Sequence, residues 1–352
     1  MFKIIAEWFQ RYFSDVEAVS LSIGIILTII IFTVMGNVLV PIIASMIIAY
    51  MLIGCVKRLE QWKIPHLPAV ILAYLLFISM FLILFVWLLP LLIHQLANLF
   101  TEIPRMLNHG QAFFAGLQKQ HPEYFSADFL KHVISELSQY LTKFGRFVLG
   151  FSITSIGSVI TFIVYLVLVP LLVFFFLKDS SLICHWLKRF LPKKRQTMQR
   201  IWHELDHKIG DYIRGKLIEI IIIALISVIV FALLGLDYAV LLAVAVGLSV
   251  IIPYVGAIVV TIPIVVIAFL QWGWSTHFIY VVLTFFVIQI FDGNLLAPVL
   301  FSEKMQIHPV AIILAVMVFG TLWGFWGIFF AIPLATLINI LLREWPCKIE
   351  KE

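Results

Sequence analysis

Apolar residues run along this chain in blocks near the length of a membrane span, parted by shorter polar stretches. The blocks fall at 20–36, 38–56, 69–93, 148–177, 217–234, 239–270, 277–297 and 309–342. A helix rises about 1.5 Å per residue and needs about 20 apolar residues to cross hydrocarbon. Blocks of this length predict membrane helices. Ahead of them, Phe2, Ile5, Trp8, Phe9, Tyr12 and Val16 recur at helical spacing. Residues 1–19 therefore predict an amphipathic helix lying on the membrane surface. Gly36 and Asn37 predict a tight turn between the first two spans.

Two blocks have the wrong length for a single crossing. Residues 239–270 and 309–342 are interrupted midway by "PYVG" (Pro253 to Gly256) and "WGFWG" (Trp323 to Gly327). Pro removes a helical hydrogen bond and Gly weakens a helix. Each half is short for a crossing and each whole is long for one, which predicts a helical hairpin that dips in and returns. The tips, Tyr254–Val255 and Phe325–Trp326, are then expected to be covered by protein, because unpaired backbone is not tolerated facing lipid. The alternative is two long tilted spans with kinks, giving eight spans in all. The two segments also resemble each other. Asp237 precedes Gly256 by nineteen residues, as His308 precedes Gly327, and Ile262-Pro263 matches Ile332-Pro333. Each follows one ordinary span, 217–234 and 277–297, so the pair predicts an inverted repeat with a site where the broken helices meet.

Composition agrees with the pattern. The apolar share is 63% and the charged share 12%, against about 25% charged in a soluble domain. The expectation is an all-α polytopic membrane protein with about six spanning helices plus two hairpins. Charge then sets the orientation. Lys178 to Lys216 holds ten Lys/Arg against four acids, a surplus larger than the whole chain's +5. Such a cluster marks a cytoplasmic loop. The loop 57–68 is basic as well, so both termini are expected inside. The predicted organisation is a surface helix at 1–19, three spans within 20–93, an external helical insert at 94–147, a span at 148–177, a basic cytoplasmic helical loop at 178–216, a transport core at 217–342 and a cytoplasmic tail at 343–352. In the insert, Ser126 caps a stripe of Phe129, Val133, Leu137, Leu141 and Phe144. The basic cluster has no aromatic interleaving, which argues against nucleic acid. The three cysteines, Cys55, Cys184 and Cys347, all fall on the predicted cytoplasmic side, so no disulfide framework is expected. No cleavable signal peptide is predicted at the N-terminus.

One motif points elsewhere. "HELDH", His203 to His207, has the H-E-x-x-H spacing that holds zinc on a helix, and Asp292-Gly293 could pass for a further ligand. Helical geometry argues against it. Ile201, Leu205, Ile209 and Tyr212 share one face, which leaves the two histidines on the polar face with Arg200 and Arg214. Guanidiniums beside a dication oppose its binding. With no G-x-S-x-G or P-loop present, neither an enzyme, a metal nor a cofactor is expected.

Three stretches together resemble one family: "DYIRGKL" (Asp211 to Leu217), "IIPYVGAIVVTIP" (Ile251 to Pro263), and "DGNLLAPVLFSEKMQIHPVAIILAVMVFGTLWGFWGIFFAIPLA" (Asp292 to Ala335). These resemble the autoinducer-2 exporter family, over nearly the whole chain and most strongly from about 200 to 342. In that likeness Tyr212 to Gly215 is a Tyr-x-x-Gly turn leading into a span. Lys216 stands where Gln is common in the family, and Ser302 where Gly is common. The resemblance implies an inner-membrane transporter, homo-oligomeric with a pentamer as one form, whose hairpins form the substrate site. It does not fix the substrate. A furanone signal and sodium or lithium exchanged for protons both occur among its members.

Asp292 is the one formally charged side chain between Asp237 and Glu303. Ionisable groups inside a membrane are costly and mostly functional. Asn294, Gln289 and Pro298 lie beside it, and a hydroxyl-rich solute needs such groups plus bare backbone at Pro253, Gly256, Gly320, Gly324 and Gly327. Tyr212, Arg214 and Gly215 form the expected cytoplasmic anchor. Trp272, Trp274, Trp323 and Trp326 are expected as interface or hairpin anchors. The expected function is export of a small polar organic solute. The alternatives are a monovalent cation/proton antiporter and a non-transporting membrane scaffold.

Overall fold

A computed structural model describes residues 16–102, 136, 156–190, 196–253, 255–301 and 308–344. The amphipathic stretch ahead of residue 16, nearly all of the insert beyond residue 102, and the tail beyond residue 344 lie outside the described residues. Among those described there is helix and no strand. The helices are α1 Val16–Gln61, α2 His66–Glu102, α3 Ile156–Lys178, α4 Ser180–Leu187, α5 Gln196–Leu233, α6 Ala239–Ser249, α7 Val255–Trp272, α8 Thr276–Phe301, α9 Pro309–Phe329 and α10 Ala331–Glu344. Among the described residues, six helices are long and apolar enough to cross a membrane: Val38–Gln61, His66–Glu102, Thr161–Lys178, Thr197–Leu233, Val255–Trp272 and Thr276–Phe301.

The count of six matches the expectation, but the membership does not. The expected first span, 20–36, lies in α1 but is not among the six. It runs on as one 46-residue helix with the second, broken by a non-helical backbone at Met35 (φ −111°, ψ 15°). The expected turn at Gly36–Asn37 is thus a break one residue earlier. Val255–Trp272, the second arm of the expected first hairpin, is among the six by length and composition. The span expected to end at residue 93 continues as helix to Glu102.

A second correction falls on α5. The Tyr-x-x-Gly stretch, Tyr212 to Gly215, is not a turn: the helix passes straight through it from Gln196 to Leu233. A single internal Gly costs only about 1 kcal/mol. An unbroken stripe of buried positions outweighs that cost: Ile201, Leu205, Tyr212, Lys216, Glu219, Ile223 and Ser227 follow one another at helical spacing.

The chain divides into two compact units. The first takes residues 1–79, 163–215 and 301–352. In it Glu17 accepts from the Thr197 backbone N–H at 3.1 Å, and the Ser45 hydroxyl bonds the Val169 carbonyl at 3.2 Å. Tyr50 donates to the Asp206 carbonyl at 3.0 Å. Ile201, Leu205 and Ile340 form a small core with Leu21, Leu337 and Leu341 beside them.

The second unit takes residues 80–162 and 216–300. Its core joins the deep half of α5 to α6, α7 and α8 through Ile223, Phe231, Val246, Ile264, Val281 and Phe285. A Cβ on Gly247 would press on Ala224 and the Ile220 carbonyl of α5, so the missing side chain lets α6 lie against that helix. Two π-helical turns interrupt this unit, at Ile83–Leu88 in α2 and Asp292–Leu296 in α8. A proline follows each at the same interval, Pro90 and Pro298. Proline cannot donate to the carbonyl four residues back, and the wider π ring absorbs that loss.

Candidate functional site

The buried stripe of α5 carries two charged groups into the second unit. Lys216 and Glu219 are 6% and 2% exposed, and their side chains pair at 2.8 Å. Asp292 comes to them from α8, where it opens the π turn. Its carboxyl meets that of Glu219 and lies in the field of the Lys216 ammonium. One of its oxygens, Oδ1, is buried with no hydrogen-bond partner among the described residues. Three ionisable groups thus converge inside apolar helices, two acids against one base. Burying a charge without full pairing costs several kcal/mol, so the cluster is an expense that stability alone does not explain. Farther along the same stripe, Ser227 is fully buried and its hydroxyl is unpaired among the described residues.

The sequence points to Asp292 through its isolation in a 65-residue stretch (238–302). It does not point to Lys216 or Glu219. Lys216 reads as the end of the basic loop, and Glu219 lies within an apolar block. The available signal is the i, i+3 spacing of an opposite-charge pair on the side of the helix that carries Tyr212 and Ile223. Of the groups expected around Asp292, Gln289 is partly buried, while Asn294 and Pro298 are exposed. Asn294 donates to the Ile290 carbonyl at 3.0 Å, one turn back on its own helix.

The two broken segments have closely similar local geometry, each within its own unit. In the first, α6 packs along α7, and the Gln271 side chain bonds the carbonyl of Gly235 and the N–H of Asp237, both at 2.9 Å. The two ends of the segment therefore lie side by side. Burial, and then the charge of Glu102, hold the Asp237 carboxyl above the ordinary carboxylate range. A Cβ on Gly256 would fall on the Ser249 carbonyl, the point of closest approach of the two arms. In the second segment the chain reverses at Gly324, whose φ of +60° and ψ of −135° suit glycine alone. A Cβ on Gly327 would fall on the Phe319 carbonyl, and one on Gly320 would meet Ile328. Pro253 sits partly buried in the first break. The first tip departs from expectation: Val255 is 51% exposed.

The remaining sequence candidates separate from this cluster. Tyr212 is buried with its ring 5.8 Å from that of Phe301, Gly215 is buried, and Arg214 is exposed with its guanidinium 5.6 Å from the centre of the Tyr50 ring. Trp323 and Trp326 stack on Phe319 and Phe330, Trp272 stacks on His277, and Trp274 is exposed. In HELDH both histidines are exposed, with rings 6.0 Å apart. Glu204, which the zinc reading needs as a base, is instead ion-paired with Lys208 at 2.8 Å and with Arg343. No group of three metal-ligating side chains occurs among the described residues.

The sequence model of the AI-2E family transporters matches residues 20–346. A protein of Escherichia coli (strain K12) that carries the permease name PerM is 39% identical over 346 residues, covering 98% of each chain. Two Bacillus subtilis (strain 168) proteins named for transport, YrrI and YueF, are 27% and 28% identical. YrrI covers 88% of this chain and 87% of its own, YueF 83% and 80%.

Proposed function

This chain belongs to the AI-2E transporter family, and we propose that it is a secondary transporter of a small polar organic solute, with the autoinducer-2 furanone as first candidate. The observation that carries the reading is the Lys216–Glu219–Asp292 cluster inside apolar helices. A membrane scaffold gains nothing from two acids held against one base, with an acid oxygen left unpaired among the described residues. A transporter uses such a group to bind polar solute or to exchange a proton. In this reading the segments 239–270 and 309–342 are hairpins in inverted orientation. The termini face the cytoplasm, the protein is a homo-oligomer of the inner membrane, and the chain catalyses no covalent reaction. The meeting of Gln271 with Gly235 and Asp237 supports the first hairpin, and the reversal at Gly324 supports the second.

A second reading, monovalent cation/proton antiport, draws on the same pair of carboxyls, since hard oxygens bind sodium and lithium. Purified protein in proteoliposomes separates the two. Vesicles loaded with the furanone and given an outward gradient should release it faster than protein-free vesicles. Sodium or lithium gradients imposed without furanone should leave the internal pH unchanged. Cation-driven pH change without furanone release would overturn the solute reading.

A further inference from the structure

We propose that the Lys216 ammonium is a tethered cation standing, beside Glu219 and Asp292, where a transported monovalent cation would otherwise bind, so that the site excludes sodium and lithium. This rests on reading the cluster as the coupling site, and it deepens that reading by naming which ions the site rejects.

The geometry carries the argument. Nζ of Lys216 lies 2.8 Å from Glu219 Oε2, and both residues are more than nine-tenths buried. The charged groups acting on Glu219 are Lys216, on its own helix, and Asp292, from α8. Two carboxyls against one ammonium leave a surplus of one acid, and Asp292 Oδ1 is the oxygen without a partner among the described residues. A bare sodium ion entering the cluster would add a second positive charge next to the first, in a medium where such repulsion is weakly screened. It would also have to compete with an ammonium that can leave the Glu219 oxygen only by bending its own stem within α5. A proton faces neither obstacle, because it adds to Asp292 or Glu219 and neutralises the surplus acid. Removing the ammonium reverses the balance. The site then holds two acids and no base, with buried oxygens suited to one small cation.

Equilibrium binding of radiolabelled sodium to the full-length protein in detergent tests this without relying on transport. Wild-type protein is expected to show no saturable sodium binding. Lys216→Gln, at wild-type oligomer size, is expected to bind about one sodium per chain saturably. Lithium should compete and choline should not, and Lys216→Gln combined with Asp292→Asn should lose the site. Saturable sodium binding by wild-type protein that Glu219→Gln abolishes would overturn the proposal. So would a correctly assembled Lys216→Gln that binds none. If Lys216→Gln does not assemble, the wild-type and Glu219→Gln arms decide alone. Failure of furanone release in vesicles would count against the solute reading and leave these binding outcomes untouched.

Discussion

The two halves of α5 carry charge in opposite ways. The outer half, Gln196 to Gly215, displays HELDH, whose histidines face outward and whose glutamate is held by Lys208 and Arg343. The inner half, from Lys216, looks like ordinary apolar span, yet it buries an ion pair and presents it to an aspartate of another helix. The conspicuous motif is a satisfied surface, and the inconspicuous pair is the costly feature. The difference lies in which side of the helix each occupies. His203 and His207 stand off the buried stripe, whereas Lys216 and Glu219 continue it from Tyr212 towards Ile223. Spacing alone could not rank them; burial does.

The sharpest way to break this contrast is to remove one member of the buried pair. Glu219→Ala takes away the carboxylate 2.8 Å from the buried Lys216 ammonium, which should cost up to about 3–5 kcal/mol. In a detergent thermal melt it should lower the midpoint further than any of the glycine or histidine substitutions. Glu219→Gln, which keeps a hydrogen-bond acceptor, should lower it less. Equal melts for Glu219→Ala and wild type would mean the pair is not buried.

Next in size are the close approaches in the broken segments. Gly256→Ala and Gly327→Ala place a methyl against a backbone carbonyl and should each cost about 1–3 kcal/mol. Gly293→Ala, where nothing lies within 4 Å of the added carbon, is the matched control and should stay near wild type. The same melts read all three.

The smallest effect belongs to the outer half. His203→Ala with Glu204→Ala should shift stability by no more than about 1 kcal/mol, the range of exposed ion pairs. It should leave furanone release in vesicles at the wild-type rate, and the purified wild-type protein should hold no stoichiometric zinc. One zinc per chain, lost on the double change, would restore the motif to significance.

Much of this is legible in the residues. Block length announces apolar helices long enough to cross a membrane, Pro253 and Gly324 mark where helices are interrupted, and the lone charge at Asp292 is one of the three ionisable groups that the fold gathers. The matched spacing to Gly256 and Gly327 finds two glycines at which an added Cβ would fall on a backbone carbonyl, in separate units of the fold. What escapes has physical causes. Tyr212 to Gly215 reads as a turn because Gly is a poor helix former, but the tertiary packing of the stripe overrides propensity. Glu219 is hidden because a hydropathy block averages over one charge in eighteen residues. The break between the first two spans is expected at Gly36–Asn37 and falls one residue earlier, at Met35, because glycine and asparagine are poor helix formers that mark only the neighbourhood of a break.

Glu219 of the inner half and Asp292 of α8 are held to couple transport. This coupling is tested most directly by proton movement during furanone release from proteoliposomes, read with a pH-sensitive dye sealed inside. Wild-type protein should move protons as furanone leaves. Asp292→Asn, at wild-type oligomer size, should cut furanone release at least about tenfold and abolish the accompanying pH change. Release and pH change at wild-type rates in Asp292→Asn would contradict the account and return the residue to the role of a helix-end group near the membrane surface.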